Sequence, residues 1–181
     1  MISLQEVCVQ KETGHFRRPA RRSNVHANAA NSTAPAMIPS ARQILLVDDS
    51  HDDAEFFQRA LQKLGFQNPF QVLYHGDEAI NYFRGEGQFA DRKKYPVPYL
   101  LLLDPNMPGK SGWEILRWLR QRPEFNTLVV IIFGGAGSPA EREMATQYGA
   151  NAYHTKPSTT GELEKLVTQI GDFWLAGGAL G

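Results

Sequence analysis

The chain has 181 residues, 42% hydrophobic and 21% charged, which suits one ordinary globular domain plus a tail. Its single cysteine, Cys8, excludes an intramolecular disulfide and suits a reducing cytoplasm, and no run of 18 apolar residues offers a membrane span. The zero net charge hides an asymmetry. Residues 1–42 carry +4 (Lys11, Arg17, Arg18, Arg21, Arg22 and Arg42 against Glu6 and Glu12), and the remainder carries −4.

Residues 1–42 lack sustained periodicity, and "SNVHANAANSTAPAMIPSA" is small, polar and punctuated by proline. This composition reads as a disordered linker, and "RRPARR" as a solvated basic stretch rather than a nucleic-acid or acidic-lipid contact. No apolar signal or anchor segment opens the chain. From residue 43 the pattern becomes regular. "QILLVD" (43–48) is an apolar strand. Residues 50–65 form a helix with Ser50 as N-cap, Asp52 and Asp53 in its first turn, an apolar stripe of Phe57, Ala60, Leu61 and Leu64, and Gly65 as stop. A second strand (70–75), a short helix (77–85) and a charged, proline-bearing loop (86–98) follow.

The third strand, within "YLLLLDPNMPGKSGW" (99–113), stops abruptly on Asp104. A helix over 112–122 ends at Pro123, and "LVVIIF" (128–133) is a strand without polar alternation, as a sheet buried on both faces requires. A helix over 138–149 has Ser138 as cap and Pro139 at its first position, "NAYHT" (151–155) is a fifth strand, and a last helix spans 159–175. Its apolar face comprises Leu163, Leu166, Val167, Ile170, Phe173 and Trp174. Five strands alternating with five helices imply an α/β fold, a parallel sheet covered on both sides.

In such folds ligands sit beyond the carboxyl ends of the strands. Strand one ends in Asp48 and Asp49, strand three in Asp104 with Asn106 two residues on, and strand five in Lys156. Neighbouring strands are about 4.8 Å apart, so three carboxylates would share one site and raise each other's pKa. A hard divalent cation such as Mg²⁺ resolves that repulsion, and a lysine beside it suits a phosphoryl group. The loop "DDSHDD" would repel a bare phosphate, which argues against a glycine-rich nucleotide or flavin site. His51, His75 and His154 lack metal spacing and read as surface or loop residues.

The stretches "ILLVDDSHDDAEFF", "LLLLDPNMPGKSGW" and "GANAYHTKP" resemble the receiver domain of two-component response regulators. The resemblance covers residues 43–175 and implies a flavodoxin-like, doubly wound (βα)5 domain with strand order 2-1-3-4-5. It implies that Asp104 is the phosphoacceptor and Lys156 the phosphoryl-contacting lysine. Asp49, Asp104 and the backbone carbonyl of Asn106 would hold Mg²⁺, with Asp48 acting less directly. It also implies that Tyr153 occupies the aromatic switch position and that Lys156–Pro157 is a bond often cis in the family. One position departs. Where the family places Thr or Ser at the end of strand four, this chain has Gly134, which has no hydroxyl to pull the aromatic inward. Backbone N–H groups of Gly134, Gly135 and Ala136 are left to face the phosphate.

The chain is similar, more narrowly, to single-domain regulators paired with phytochrome-type histidine kinases. That implies a cytoplasmic signalling protein, not a turnover enzyme, with a histidine kinase as partner and no DNA-binding output domain; residues 176–181 read as a flexible end. It also implies a homodimer, for which Phe173, Trp174 and Leu175 are candidates unless they pack into their own domain. Two other functions compete. A receiver that is not phosphorylated could act as an interaction module, with Gly134 as the sign of lost switching. A haloacid-dehalogenase-type phosphatase would need an acid two residues after Asp104, where Asn106 stands.

Overall fold

The computed structural model describes residues 42–175 except Ala136. The expectations for Ala136, for the tail before residue 42 and for residues 176–181 lie outside the described residues. The five strands are β1 (Ile44–Val47), β2 (Phe70–Leu73), β3 (Leu100–Leu103), β4 (Val129–Gly134) and β5 (Ala152–Thr155). All pair in parallel, in the order β2-β1-β3-β4-β5. The helices are α1 (His51–Lys63), α2 (Gly76–Arg84), α3 (Gly112–Arg120), α4 (Pro139–Gln147) and α5 (Thr160–Ile170).

The unbroken apolar runs belong to the central strands because both faces are covered. All four leucines of β3 are fully buried, each contributing about 1.5–3 kcal/mol. On one face β1, β3 and β4 pack with α2 and α3, and on the other with α1 and α5. Each crossover delivers the chain back to the same sheet edge, so the strands all end on one rim.

Serines and threonines start the helices. Ser50 accepts from the Asp53 N–H, Thr159 accepts from the Glu162 N–H, and Ser111 and Ser138 form reciprocal capping boxes with Glu114 and Glu141. The stripe of α1 differs from the sequence reading at one end. Ala54 is buried and Leu64, the C-cap residue, is exposed, because the helix stops before Leu64 can turn inward.

The charged segment 86–98 is tied down. A short 3₁₀ turn (Gly87–Phe89) buries Phe89, and the Arg92 guanidinium donates to the carbonyls of Tyr82 (2.7 Å), Phe83 (2.5 Å) and Tyr95 (3.1 Å). Tyr82 and Phe83 lie in the last turn of α2, so the guanidinium ties the loop to the carbonyl end of that helix.

The last helix ends differently from the expected continuous run. After Ile170 the chain widens into a π turn over Gly171–Leu175, where Gly171 lies against the Phe66 ring with no room for a Cβ. That turn carries Trp174 and Leu175 into the α1/α5 side of the core, at 7% and 1% exposure, with Phe173 half-buried beside Trp174. The exposed apolar patch expected of Phe173, Trp174 and Leu175 is therefore absent, since the wider turn rotates two of the three inward. Arg42, counted with the tail in the sequence, donates through Nη1 to the carbonyls of Trp174 (3.2 Å) and Leu175 (2.6 Å) and stacks on Tyr99.

Candidate functional site

Adjacent register places the end of β1 beside the end of β3, with Val47 opposite Leu103. The next residues are therefore neighbours: the Asp104 N–H donates to the Val47 carbonyl (2.9 Å), and the Asp48 N–H to that of Leu73 (3.0 Å). Asp48 is fully buried, Asp104 is 6% exposed and Asp49 is exposed. One oxygen from each of the three lies within 4.8 Å of the others.

Lys156 enters from the far side. Its N–H donates to the Gly134 carbonyl (2.8 Å), which extends the β5 pairing by one residue. Its side chain then crosses the end of β4, and Nζ lies 2.5 Å from Asp104 Oδ2, 2.8 Å from Asp48 Oδ2 and 2.9 Å from Asp53 Oδ2. Of the ammonium's three donors, two bond to Asp104 and Asp53, and Asp48 Oδ2 stands within ion-pair distance. Burial alone would lower the Lys156 pKa, but the surrounding carboxylates of Asp104, Asp48 and Asp53 outweigh it and hold the lysine above its ordinary value. Burial raises the Asp48 pKa, against the pull of Lys156 and the Ser50 N–H.

The peptide bond from Lys156 to Pro157 is trans, as is every described peptide bond, so the expected cis bond is not present. Trans is the preferred state of an X–Pro bond by roughly 0.5–1 kcal/mol, and here Lys156 reaches the acids without isomerisation.

Four carboxylates (Asp48, Asp49, Asp53, Asp104) face one ammonium, so the rim keeps excess negative charge. The backbone already occupies part of it: Asp48 Oδ1 accepts from the Ser50 N–H (2.9 Å) and Asp104 Oδ1 from the Asn106 N–H (2.7 Å). Asp48 Oδ2, fully buried, makes only its ion contact with Lys156 and no hydrogen bond. Buried oxygens with spare lone pairs and excess charge fit a hard divalent cation. The donor set, all oxygen, excludes a soft-metal preference.

In the neighbouring corner the Glu141 carboxylate is matched by donors and by the Arg142 guanidinium. Gly134 is the last residue of β4. Tyr153, one residue along β5 from Ala152, is 1% exposed, and its hydroxyl donates to Glu141 Oε2 (3.0 Å) and accepts from the Gly137 N–H (3.1 Å). Burial, reinforced by Glu141, pushes its phenol up to about 12. Burial tends to raise the Glu141 pKa, but hydrogen bonds from Tyr153, the Ser138 N–H and Asn106 bring it below the usual carboxylate value. Asn106 itself is exposed, with Nδ2 3.5 Å from Glu141 Oε1.

His154 is not a surface residue as the sequence suggested. It alternates with Tyr153 onto the face of Ala152 opposite Phe133, where it is 8% exposed and its Nε2 has no partner. His51 and His75 are exposed. Two residues of the site escaped the sequence reading. Asp53 reads in the sequence as a helix-dipole residue, and only its distance to Lys156 gives it a second role. Glu141 stands three residues after the Ser138 cap and completes a capping box, and nothing in the sequence shows its bond to Tyr153.

The sequence profile of the response regulator receiver domain matches residues 44–168. The chain is 30% identical over 132 residues to response regulator Rcp1 of Synechocystis, covering 73% of this chain and 88% of that protein. The crystal structure of Mn²⁺-bound Rcp1 superposes with a TM-score of 0.67 at 29% identity, covering 74% of this chain and 94% of the other. That of the phosphorylated cyanobacterial phytochrome response regulator RcpA gives 0.70 at 28% identity, covering 77% and 97%. A red-light-signalling response regulator of R. palustris gives 0.69 at 29% identity, covering 74% and 94%.

Proposed function

Since the chain belongs to the response regulator receiver domain family, we propose that it accepts a phosphoryl group on Asp104 from the phosphohistidine of a histidine kinase. The observation that carries this reading is the contact of the Lys156 ammonium with Asp104 inside a ring of three further carboxylates. An Asp104 oxygen attacks phosphorus in line. The P–O bond forms as the P–N bond to the kinase histidine breaks, and the imidazole leaves with the bonding electron pair. Lys156 is placed to neutralise charge on the transferring group, and the Asn106 N–H fixes the orientation of the acceptor carboxylate. Asp49, Asp104 and the Asn106 carbonyl would hold Mg²⁺, with Asp48 behind them; when bound it supplies charge neutralisation at the phosphoryl oxygens.

The relatives' association with phytochromes supports a phytochrome-type kinase as partner and a cytoplasmic place of action; among the described residues no helix is long and apolar enough to cross a membrane. A homodimer would meet only Phe173 of the three candidate residues, since Trp174 and Leu175 are buried in their own protomer.

Incubation with Mg²⁺ and acetyl phosphate, followed by intact mass and sizing, tests the reading. One phosphoryl adduct on the wild type and none on Asp104→Asn is the expected result. No adduct on the wild type under conditions that label a control receiver would leave the interaction-module reading, which Gly134 favours.

A further inference from the structure

The phenol of Tyr153 occupies the volume that any side chain at position 134 would claim. A Cβ built on Gly134 would lie 2.6 Å from the Tyr153 hydroxyl oxygen and 3.0 Å from Cγ of Pro105. Both are closer than non-bonded atoms pack. The polar groups that the hydroxyl touches belong to the segment leading into α4 or to its first turn: the Gly137 N–H and the Glu141 carboxylate. Glu141 also accepts from the Ser138 N–H (3.2 Å), so the carboxylate that holds the phenol also caps the helix. Arg142 closes the arrangement, with its guanidinium over the Tyr153 ring at 5.1 Å and Nε donating to the Gly137 carbonyl (3.3 Å).

Turning this ring outward would cost both hydroxyl bonds, leave the Gly137 N–H without its acceptor and open a void beside Pro105. Glycine has no side chain to fill that void. A modification shifts a conformational equilibrium only to the extent that it favours one state over the other. Here the inward state is complete before any modification. The direct side-chain approach from the acid rim to α4 is weak: the exposed Asn106 amide lies 3.5 Å from Glu141, at the outer limit of a hydrogen bond.

We propose that Tyr153 is latched inward in the unmodified protein by Gly134, Gly137 and Glu141. Gly137, Ser138 and the first turn of α4 then keep one conformation whether or not Asp104 carries a phosphoryl group. Only the second half rests on the phosphorylation reading; the latch itself is a property of the unmodified chain.

The Gly137 amide reports the latch directly. Its hydrogen exchange is to be measured by NMR in the full-length wild type and Gly134→Ala, before and after Mg²⁺ and acetyl phosphate, with intact mass reporting the adduct. In the wild type the amide is protected and its rate changes less than about twofold on full phosphorylation. In unmodified Gly134→Ala, where the new Cβ displaces the hydroxyl, it exchanges at least about tenfold faster. Equal rates in the two unmodified proteins, or a roughly tenfold change in the wild type on phosphorylation, overturns the proposal. Should Gly134→Ala not fold, Tyr153→Phe keeps the ring and removes the acceptor, and an unchanged Gly137 rate there overturns it equally. Absence of an adduct defeats the phosphorylation reading alone, because the comparison of unmodified proteins still decides the latch.

Discussion

Two corners of the same sheet edge are built on opposite principles. At the ends of β1 and β3, like charges crowd round one ammonium, and a buried carboxylate oxygen is left without a hydrogen bond. At the ends of β4 and β5, Tyr153, Gly137 and Glu141 satisfy one another. Spare lone pairs and unbalanced charge make a surface that gains by binding something. A closed set of hydrogen bonds makes a surface that loses by moving. The difference teaches where chemistry and where rigidity lie, although the two corners are separated only by the end of one strand.

Removing the cation of the charged corner has the largest expected effect. Lys156→Ala strands Asp48 and Asp104 in a buried site and should cost about 3 kcal/mol in urea unfolding with a chelator present. Added Mg²⁺ should recover more of that loss in the variant than it adds to the wild type. Equal Mg²⁺ responses would erase the contrast between the corners.

Next comes the residue behind the rigid corner. Burial, helped by Arg142, lowers the His154 pKa from 6.5 to about 4. Between those pH values the unfolded chain takes up a proton that the folded protein refuses. Stability therefore falls as pH drops from 6.5 towards 4, by up to about 3 kcal/mol. Denaturation midpoints for wild type and His154→Gln across this window should converge at the acid end.

Glu141→Gln keeps the size of the group but weakens two acceptor bonds in the rigid corner. It should cost about 1 kcal/mol and raise exchange at Gly137 without abolishing phosphoryl labelling, as urea unfolding and mass spectrometry would read. The smallest effect belongs to Asp53→Asn. Its side chain is 37% exposed, so screening leaves less than about 1 kcal/mol in stability. The freed ammonium should nonetheless change the labelling rate by a few-fold, which a time course with acetyl phosphate would show.

The sheet was legible in the sequence because its central strands are uninterrupted apolar runs, and β1 and β3 stop where a carboxylate begins. Asp48, Asp104 and Lys156 could be brought together from those stops and strand adjacency alone. Asp53 could not, since a first-turn acid on a helix reads the same whether or not a lysine arrives from a residue 103 positions on. His154 was misjudged because period-2 alternation says which side of β5 it faces, not that Phe133 and its neighbours cover that side. Periodicity already puts Trp174 on the apolar face of the last helix, and only the resemblance makes it a dimer candidate; the burial of Leu175 is not legible, because it depends on a turn that widens at Gly171. The void at Gly134 is the subtlest case. A sequence shows a missing side chain, but not which neighbour fills its place.

Arg42 binds the carbonyls of Trp174 and Leu175 and rests on Tyr99, just ahead of the third strand. The first and last described residues are thus fastened together at the pole remote from the acids. A reporter attached at Arg42 or Leu175 themselves would sit away from the carboxylate rim. Loss of this one guanidinium would loosen both attachment points together.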